Sequence, residues 1–366
     1  MEIVHIVGAR PQFIKAAPVV RAFQRRGAGQ LLVHTGQHYD REMSEVFFKE
    51  LDLPEPDLNL EVGSGTHGVQ TARMLERIEA ALLKRRPDWV VVYGDTNSTL
   101  AGALAACKLG LGVAHIESGL RSYNRSMPEE HNRVLADHCA DLLLCPTQTA
   151  VDNLRREGVR ARIELVGDTM YDAILSFLPR ARKPAFADKL KLKPQAYLLA
   201  TIHRPYNTDN PEALMALVDA LSAAGEPVVF PTHPRTRARL AEFAPDFASR
   251  ASTIYFVPPV GYLEMLWLER NARLILTDSG GVQKEAYFLA RPCVTLRPET
   301  EWVETVQAGW NRLARGKDEI LQAVAGDSWP TGSPPPLFGD GRAADRIAEA
   351  LSKVPKACPK NAKTYP

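Results

Sequence analysis

The chain has 366 residues, more than one hydrophobic core usually serves, so two domains are expected. Hydrophobic residues make up 45% and charged residues 24%, the balance of a soluble globular protein, and a formal net charge of +2 gives bulk charge no role in drawing nucleic acid or membrane. Cys107, Cys139, Cys145, Cys293 and Cys358 are scattered, mostly in apolar stretches, and read as buried, reduced thiols of a cytoplasmic protein; "MEIVHIV" lacks a leader pattern, and no apolar run approaches the ~20 residues of a membrane helix.

In chain order, apolar runs of strand length alternate with helical spacing. Ile3 to Val7, Leu31 to His34, Trp89 to Tyr93, Val113 to Ile116, Leu142 to Cys145 and Ile163 to Val166 read as buried strands. Phe13 to Arg26, Val69 to Arg86, Ser98 to Leu109 and Thr147 to Glu157 read as helices between them. The rhythm restarts with strands at Tyr197 to Thr201, Val228 to Thr232, Thr253 to Phe256, Leu274 to Thr277 and Cys293 to Leu296. Such alternation predicts parallel sheets covered by helices on both faces. The division is expected as residues 1–170, 171–338, a final helix over 339–353 and a loose tail over 354–366; a charged, proline-bearing stretch over Pro179 to Pro194 is the plausible linker. Two such domains would leave a cleft at the carboxyl ends of their strands, where ligands of open parallel sheets bind.

The polar residues collect at those ends. "TDSGGVQKEA" leaves a buried strand through Gly280 and Gly281, which admit backbone angles closed to other residues. A helix from Val282 would aim its unpartnered amides and its positive dipole end at whatever lies beyond, an anion site with Glu285 one turn in, placed to accept from two neighbouring hydroxyls. On its own the stretch reads equally as a strand-to-helix turn with Ser279 as N-cap. "GARPQFIK" lacks the Gly-x-Gly-x-x-Gly of dinucleotide folds, which argues against NAD or FAD; Arg10 and Lys15 there either meet a diphosphate or are solvated charges at a helix end. Asp95, Glu117 and at least one of the pair Glu129 and Glu130 would share a cleft, and crowded carboxylates raise one another's pKa into the range of proton transfer. His203 and His233 also end strands, as phosphate donors or as ordinary turn histidines. His115 and Glu117 resemble half of a zinc-deaminase motif, but no cysteine pair follows, so no metal is expected.

Taken together, "GARPQFIKAAP", "GDTNSTLAGALAA", "HIESGLRS", "MPEEHNR", "TIHRPYN", "PTHP" and "TDSGGVQKEA" resemble the non-hydrolysing UDP-N-acetylglucosamine 2-epimerase family, in order from Val4 to about Arg312. The resemblance implies a GT-B-like α/β fold, with two Rossmann-type parallel-sheet domains facing a central cleft and a last helix crossing back to the first. It implies a homodimer that uses no cofactor and inverts C2 of a UDP-linked 2-acetamido sugar. Carried over by motif, Asp95, Glu117 and Glu129 are acid–base groups, with His203 also catalytic. Arg10, Lys15, Arg133 and His233 hold sugar or phosphate, Ser279, Gly280 and Gly281 the phosphates, and Glu285 the ribose; "FVPPVGY" would meet uracil. The form "TGQHYDREM", with Tyr39 and Asp40 inserted, departs from the UDP-N-acetylglucosamine enzymes and puts their activator site in doubt. It looks more like relatives acting on UDP-2,3-diacetamido-2,3-dideoxyglucuronic acid for surface polysaccharide, in which Arg125 or Arg121 would pair with the uronate. The alternatives are the UDP-N-acetylglucosamine reaction, a hydrolysing epimerase, a glycosyltransferase and a non-catalytic UDP-sugar sensor.

Overall fold

The computed structural model describes residues 1–37, 47–243, 252–326 and 328–353. The "QHYDREM" departure and the expected tail fall largely or wholly outside them. The chain forms two compact units, residues 1–176 with 336–366, and residues 177–335. The expected divisions were at 170/171 and 338/339.

Among the described residues, the first unit holds a seven-stranded parallel sheet: β1 (Glu2–Val7), β2 (Gly29–His34), β3 (Leu58–Asn59), β4 (Trp89–Tyr93), β5 (Gly112–Ile116), β6 (Leu142–Cys145) and β7 (Arg162–Leu165). The spatial order is β3-β2-β1-β4-β5-β6-β7. The central strands are buried on both faces, which is why they read as unbroken Val, Ile and Leu runs. Helices cover both faces, and two of them show how closely. The Asn97–Lys108 helix starts at Thr96, whose side chain caps it, and brings Gly102 against β4 and β1. A Cβ there would stand 3.0 Å from Val92 and 3.2 Å from Ile6. The Arg10–Arg25 helix carries Pro11 in its first turn, where a missing N–H is harmless, so it begins ahead of the expected Phe13.

The Ala343–Lys353 helix returns to this unit and lies on the Arg10–Arg25 helix, with Arg25 paired to Asp345 at 2.7 Å. Its first amides, on Ala343 and Ala344, are accepted by Asp172 at 3.1 and 2.7 Å. Burial pushes the Asp172 carboxyl up to about 6 even so.

The second unit repeats the plan with β8 (Leu198–Thr201), β9 (Val228–Pro231), β10 (Ile254–Val257), β11 (Leu274–Thr277), β12 (Cys293–Thr295) and β13 (Asn311–Leu313), in the order β10-β9-β8-β11-β12-β13. All pairings are parallel. In both sheets the order reverses beside the first strand, between β1 and β4 and between β8 and β11, which opens a crevice at the carboxyl ends of those strands. The thiols differ in part from expectation. Cys145 and Cys293 are buried, but Cys107 is exposed and lies beside Cys139, whose thiol is pushed up to about 11 by burial and by that neighbour.

Candidate active site

In the first unit, the loop after β1 is fixed by Gln12, which is buried. Its Oε1 accepts from the amides of Gly8 and Ala9 at 2.8 and 3.1 Å. Its Nε2 donates to the Tyr93 carbonyl at the end of β4 and to Thr99 Oγ1. Gly8 has no room for a side chain: a Cβ would sit 2.1 Å from Thr35 Oγ1 and 2.2 Å from Ser98 Oγ. This ties the end of β1 to the end of β4 and aims Lys15, one turn into the helix, across the reversal of strand order. Lys15 Nζ donates to Glu117 Oε1 at 2.5 Å, and both residues are buried. Glu117 leaves β5 at φ +67°, a left-handed conformation uncommon outside glycine, so its aim is set against a local backbone preference.

Asp95 follows β4 and is reached by Arg133 at 2.5 Å. Arg133, 2% exposed, also donates to Glu130 Oε2 at 3.0 Å, and Asn132 Nδ2 donates to the Asp95 carbonyl. Gly94 joins the two pairs: it precedes Asp95, and a Cβ on it would be 3.0 Å from Lys15 Nζ and 3.4 Å from Glu117 Oε1. Asp95, Glu117, Lys15 and Arg133 therefore occupy one locality. The acids there lie against cations, Glu117 against Lys15 and both Asp95 and Glu130 against Arg133, which corrects the picture of like charges alone.

Glu130 is bound into this network, accepting also from the Ser122 and Tyr123 amides at 2.9 Å. Glu129 is half-buried in the first turn of the Pro128–Cys139 helix. Arg10 stacks over Phe47 with its guanidinium carbon 5.0 Å from the ring centre.

Arg121 is drawn inward. Its N–H groups reach Asp137 at 2.7 Å, Glu157 twice at 2.7 and 2.6 Å and the Leu120 carbonyl at 2.6 Å, which corrects the expectation that it meets a uronate. Arg125 is exposed. The His115 ring lies between Asp137 at 2.7 Å and the Gly94 carbonyl at 2.7 Å, so both nitrogens are engaged and the deaminase-like reading of His115 lapses. Burial pushes the Asp137 carboxyl up, but the hydrogen bonds and charges of His115 and Arg121 outweigh it and hold the group below its usual value.

In the second unit, Ser279 caps the Gly280–Phe288 helix, its Oγ accepting from Val282 N at 3.5 Å. The helix starts two residues earlier than a Val282 start, so Gly280 and Gly281 lie in its first turn. A Cβ on Gly280 would stand 2.4 Å from Glu301 Oε1. Free amides at a helix start with small residues over them suit a phosphate.

Between Thr277 and Ser279 stands Asp278, fully buried, which sequence reasoning passed over. It accepts from the amides of His203 and Arg204 at 3.1 and 2.9 Å and from Asn207 Nδ2 at 3.0 Å, and its Oδ1 lies 3.2 Å from His203 Nδ1. Asp278 thus joins the "TIHRPYN" loop after β8 to the Gly-Gly turn after β11, leaving the His203 side chain exposed. An acid directly after one strand and a histidine after its neighbour was the available signal. His233 is exposed, its Nδ1 accepting from Arg235 N. Glu285 is buried within the helix, at 4% exposure.

Known proteins place the chain in a family. The family profile described as UDP-N-acetylglucosamine 2-epimerase matches residues 21–352. A "UDP-N-acetylglucosamine 2-epimerase homolog" of Methanococcus maripaludis is 51% identical over 97% of this chain and 100% of its own. The UDP-2,3-diacetamido-2,3-dideoxy-D-glucuronate 2-epimerase of Pseudomonas aeruginosa is 48% identical, again over 97% and 100%. The crystal structure of Methanocaldococcus jannaschii UDP-GlcNAc 2-epimerase with UDP-GlcNAc and UDP is similar at a TM-score of 0.91 and 45% identity, covering 97% of this chain and 100% of that one. The fold is accordingly GT-B-like, two parallel-sheet α/β domains with the last helix returned to the first. Reversal-point acids, an amide-lined turn and these likenesses together make the chain a member of the UDP-N-acetylglucosamine 2-epimerase family, an epimerase of UDP-sugars.

Proposed function

We propose that the chain inverts C2 of a UDP-linked 2-acetamido sugar, with UDP-2,3-diacetamido-2,3-dideoxyglucuronic acid as the preferred substrate and its mannuronic epimer as product. The C2 proton has no adjacent carbonyl to acidify it. A carboxylate removes that proton as the C1–O bond to UDP breaks, leaving a 2-acetamidoglucal. The glucal is then protonated at C2 from the other face, and a UDP oxygen closes on C1 again. Two faces of one carbon require two proton-handling groups, and Asp95, Glu117 and Glu129 are the candidates.

The second unit grips the pyrophosphate with the Gly280 and Gly281 amides, with Ser279 Oγ and with His203, lowering the barrier to departure. Arg10, Lys15 and Arg133 hold the substrate and set the acids. The observation that carries the reading is the pair of ion pairs, Lys15 with Glu117 and Arg133 with Asp95, at the strand reversal of a chain in this family.

Preference for the uronate draws on the 48% identity to the Pseudomonas aeruginosa enzyme and on Arg125, an exposed cation on the loop before the Pro128–Cys139 helix. A second reading, epimerisation of UDP-N-acetylglucosamine, draws on the 46% identity to the Methanocaldococcus jannaschii enzyme. Turnover of the two nucleotides side by side separates them: the uronate reading expects kcat/KM at least about tenfold higher for the diacetamido-uronic substrate, equivalent to about 1.4 kcal/mol. The working form under this reading is a cytoplasmic homodimer supplying a surface polysaccharide such as lipopolysaccharide. Among the described residues, no helix is long and apolar enough to cross a membrane.

A further inference from the structure

Behind the amide turn, Glu285 meets a second acid. The Tyr262–Asn271 helix packs against the Gly280–Phe288 helix, and Glu269, in its last turn, is completely buried. Around it lies the apolar cluster that contains Leu268, Ala272, Val282 and Ala286. No N–H or O–H group among the described residues donates to either Glu269 oxygen; what it faces is the Glu285 carboxyl. Two carboxylates in a dry, apolar setting cannot both ionise at contact, so one proton sits between them.

Glu269, at 0% exposure, is the deeper of the two, and Glu285 keeps 4%. The titratable groups that act on Glu269 or feel it are Glu285, Tyr197, Tyr262 and Cys293, none of them a cation. Burial, followed by the charge and hydrogen bond of Glu285, drives the Glu269 carboxyl well above its ordinary range.

We propose that Glu269 is a permanently protonated positioning residue that donates its hydrogen bond to Glu285 and thereby holds the Glu285 carboxylate ready for the vicinal diol of the nucleotide ribose. The proposal rests on the reading of Glu285 as the ribose acceptor. A neutral acid behind the carboxylate does two things at once. It gives Glu285 a donor on its inner side, fixing its rotamer, and it keeps the shared proton off the oxygen that takes the hydroxyls. The Tyr262 hydroxyl also meets Glu285, so the Glu269 donor adds a second hold on the same carboxylate.

The test uses the full-length protein, with calorimetry of UDP and of a UDP analogue lacking both ribose hydroxyls, and infrared spectra at pH 8. Wild type should prefer UDP and show a protonated-carboxyl band. Glu269→Gln, which keeps an N–H donor, should abolish the band and retain the preference for UDP. Glu269→Leu, which has no donor, should weaken UDP by about tenfold, the worth of one charge-assisted hydrogen bond, and leave the analogue unchanged. Absence of the band from wild type overturns the proposal, and this result does not depend on Glu269→Leu folding. An unchanged preference in Glu269→Leu also overturns it, provided Glu285→Gln loses the preference. If Glu285→Gln keeps the preference, the ribose reading itself falls and the proposal falls with it, whatever the infrared shows.

Discussion

Asp95 and Glu117 leave β4 and β5 of the first sheet beside a guanidinium and an ammonium, whereas Glu269 and Glu285 of the second unit face one another. The six strands of the second sheet follow the order of β3 to β6 in the first, and all four acids are at least partly shielded from water. What differs is the partner. Under the proposed reading, the acids beside cations are the ones that take a proton from carbon and give one back. A pair of acids without a cation holds a proton in place and serves as scaffold. The proposed reading assigns chemistry to the carboxyls that face cations and positioning to the pair that face each other.

Mutations that break this contrast should differ in size. The largest effect is expected from Glu117→Gln and Asp95→Asn, each lowering turnover by about 10²–10⁴-fold, the usual worth of a general acid or base, while UDP binding measured by calorimetry stays within about twofold. A variant that retains more than a tenth of wild-type turnover would remove that acid from the proton-handling pair. Next comes Lys15→Met, which takes the ammonium from a buried carboxylate and should cost about 3–5 kcal/mol in denaturant unfolding. The double variant Lys15→Met/Glu117→Gln should recover most of that loss. Failure to recover would mean that Lys15 acts through packing alone.

The contrast also predicts opposite pH dependences. The Asp137 carboxyl in the first unit lies below its ordinary 3.8, so its contribution is present above that pH and lost as pH falls through its folded value; Asp137→Asn should flatten the acid limb of stability. Glu269 lies well above its ordinary 4.5, so its contribution is complete below that pH and lost as pH rises; Glu269→Leu should flatten the decline on the alkaline side. Thermal unfolding from pH 3 to 9 reads both, and parallel curves for wild type and variant would refute either assignment. The smallest effect belongs to Arg125→Ala, which should lower kcat/KM for the uronic substrate by about threefold, as expected of an exposed charge pair, and leave UDP-N-acetylglucosamine unchanged.

The sheets were legible because parallel strands buried on both faces must be continuously apolar, as Trp89–Tyr93 and Leu274–Thr277 are. β3 was not, because Leu58–Asn59 is a two-residue exposed edge, and β13 was not, because Asn311–Leu313 is short and carries Asn and Arg. The Thr169–Phe177 helix was missed where it runs into the expected domain boundary. Asp95, Glu117 and the Gly-Gly turn could be found because position at a strand end is a local property of the sequence. Partners are not local. Asp278 meets His203 from 75 residues away, Arg121 meets Glu157 from 36, and Glu269 reads in "YLEMLWLERN" as one more helical glutamate until packing of the helices buries it. The choice between Glu129 and Glu130 likewise depends on where Arg133 points, which a helical spacing does not reveal.

The most direct test of the central claim is isotope uptake. Enzyme incubated with the UDP-sugar in heavy water should place one deuterium at C2 in both epimers, with the sugar still linked to UDP, and Glu117→Gln or Asp95→Asn should slow that exchange along with turnover. Tight UDP-sugar binding with no deuterium at C2, or release of free sugar as the labelled product, would contradict it.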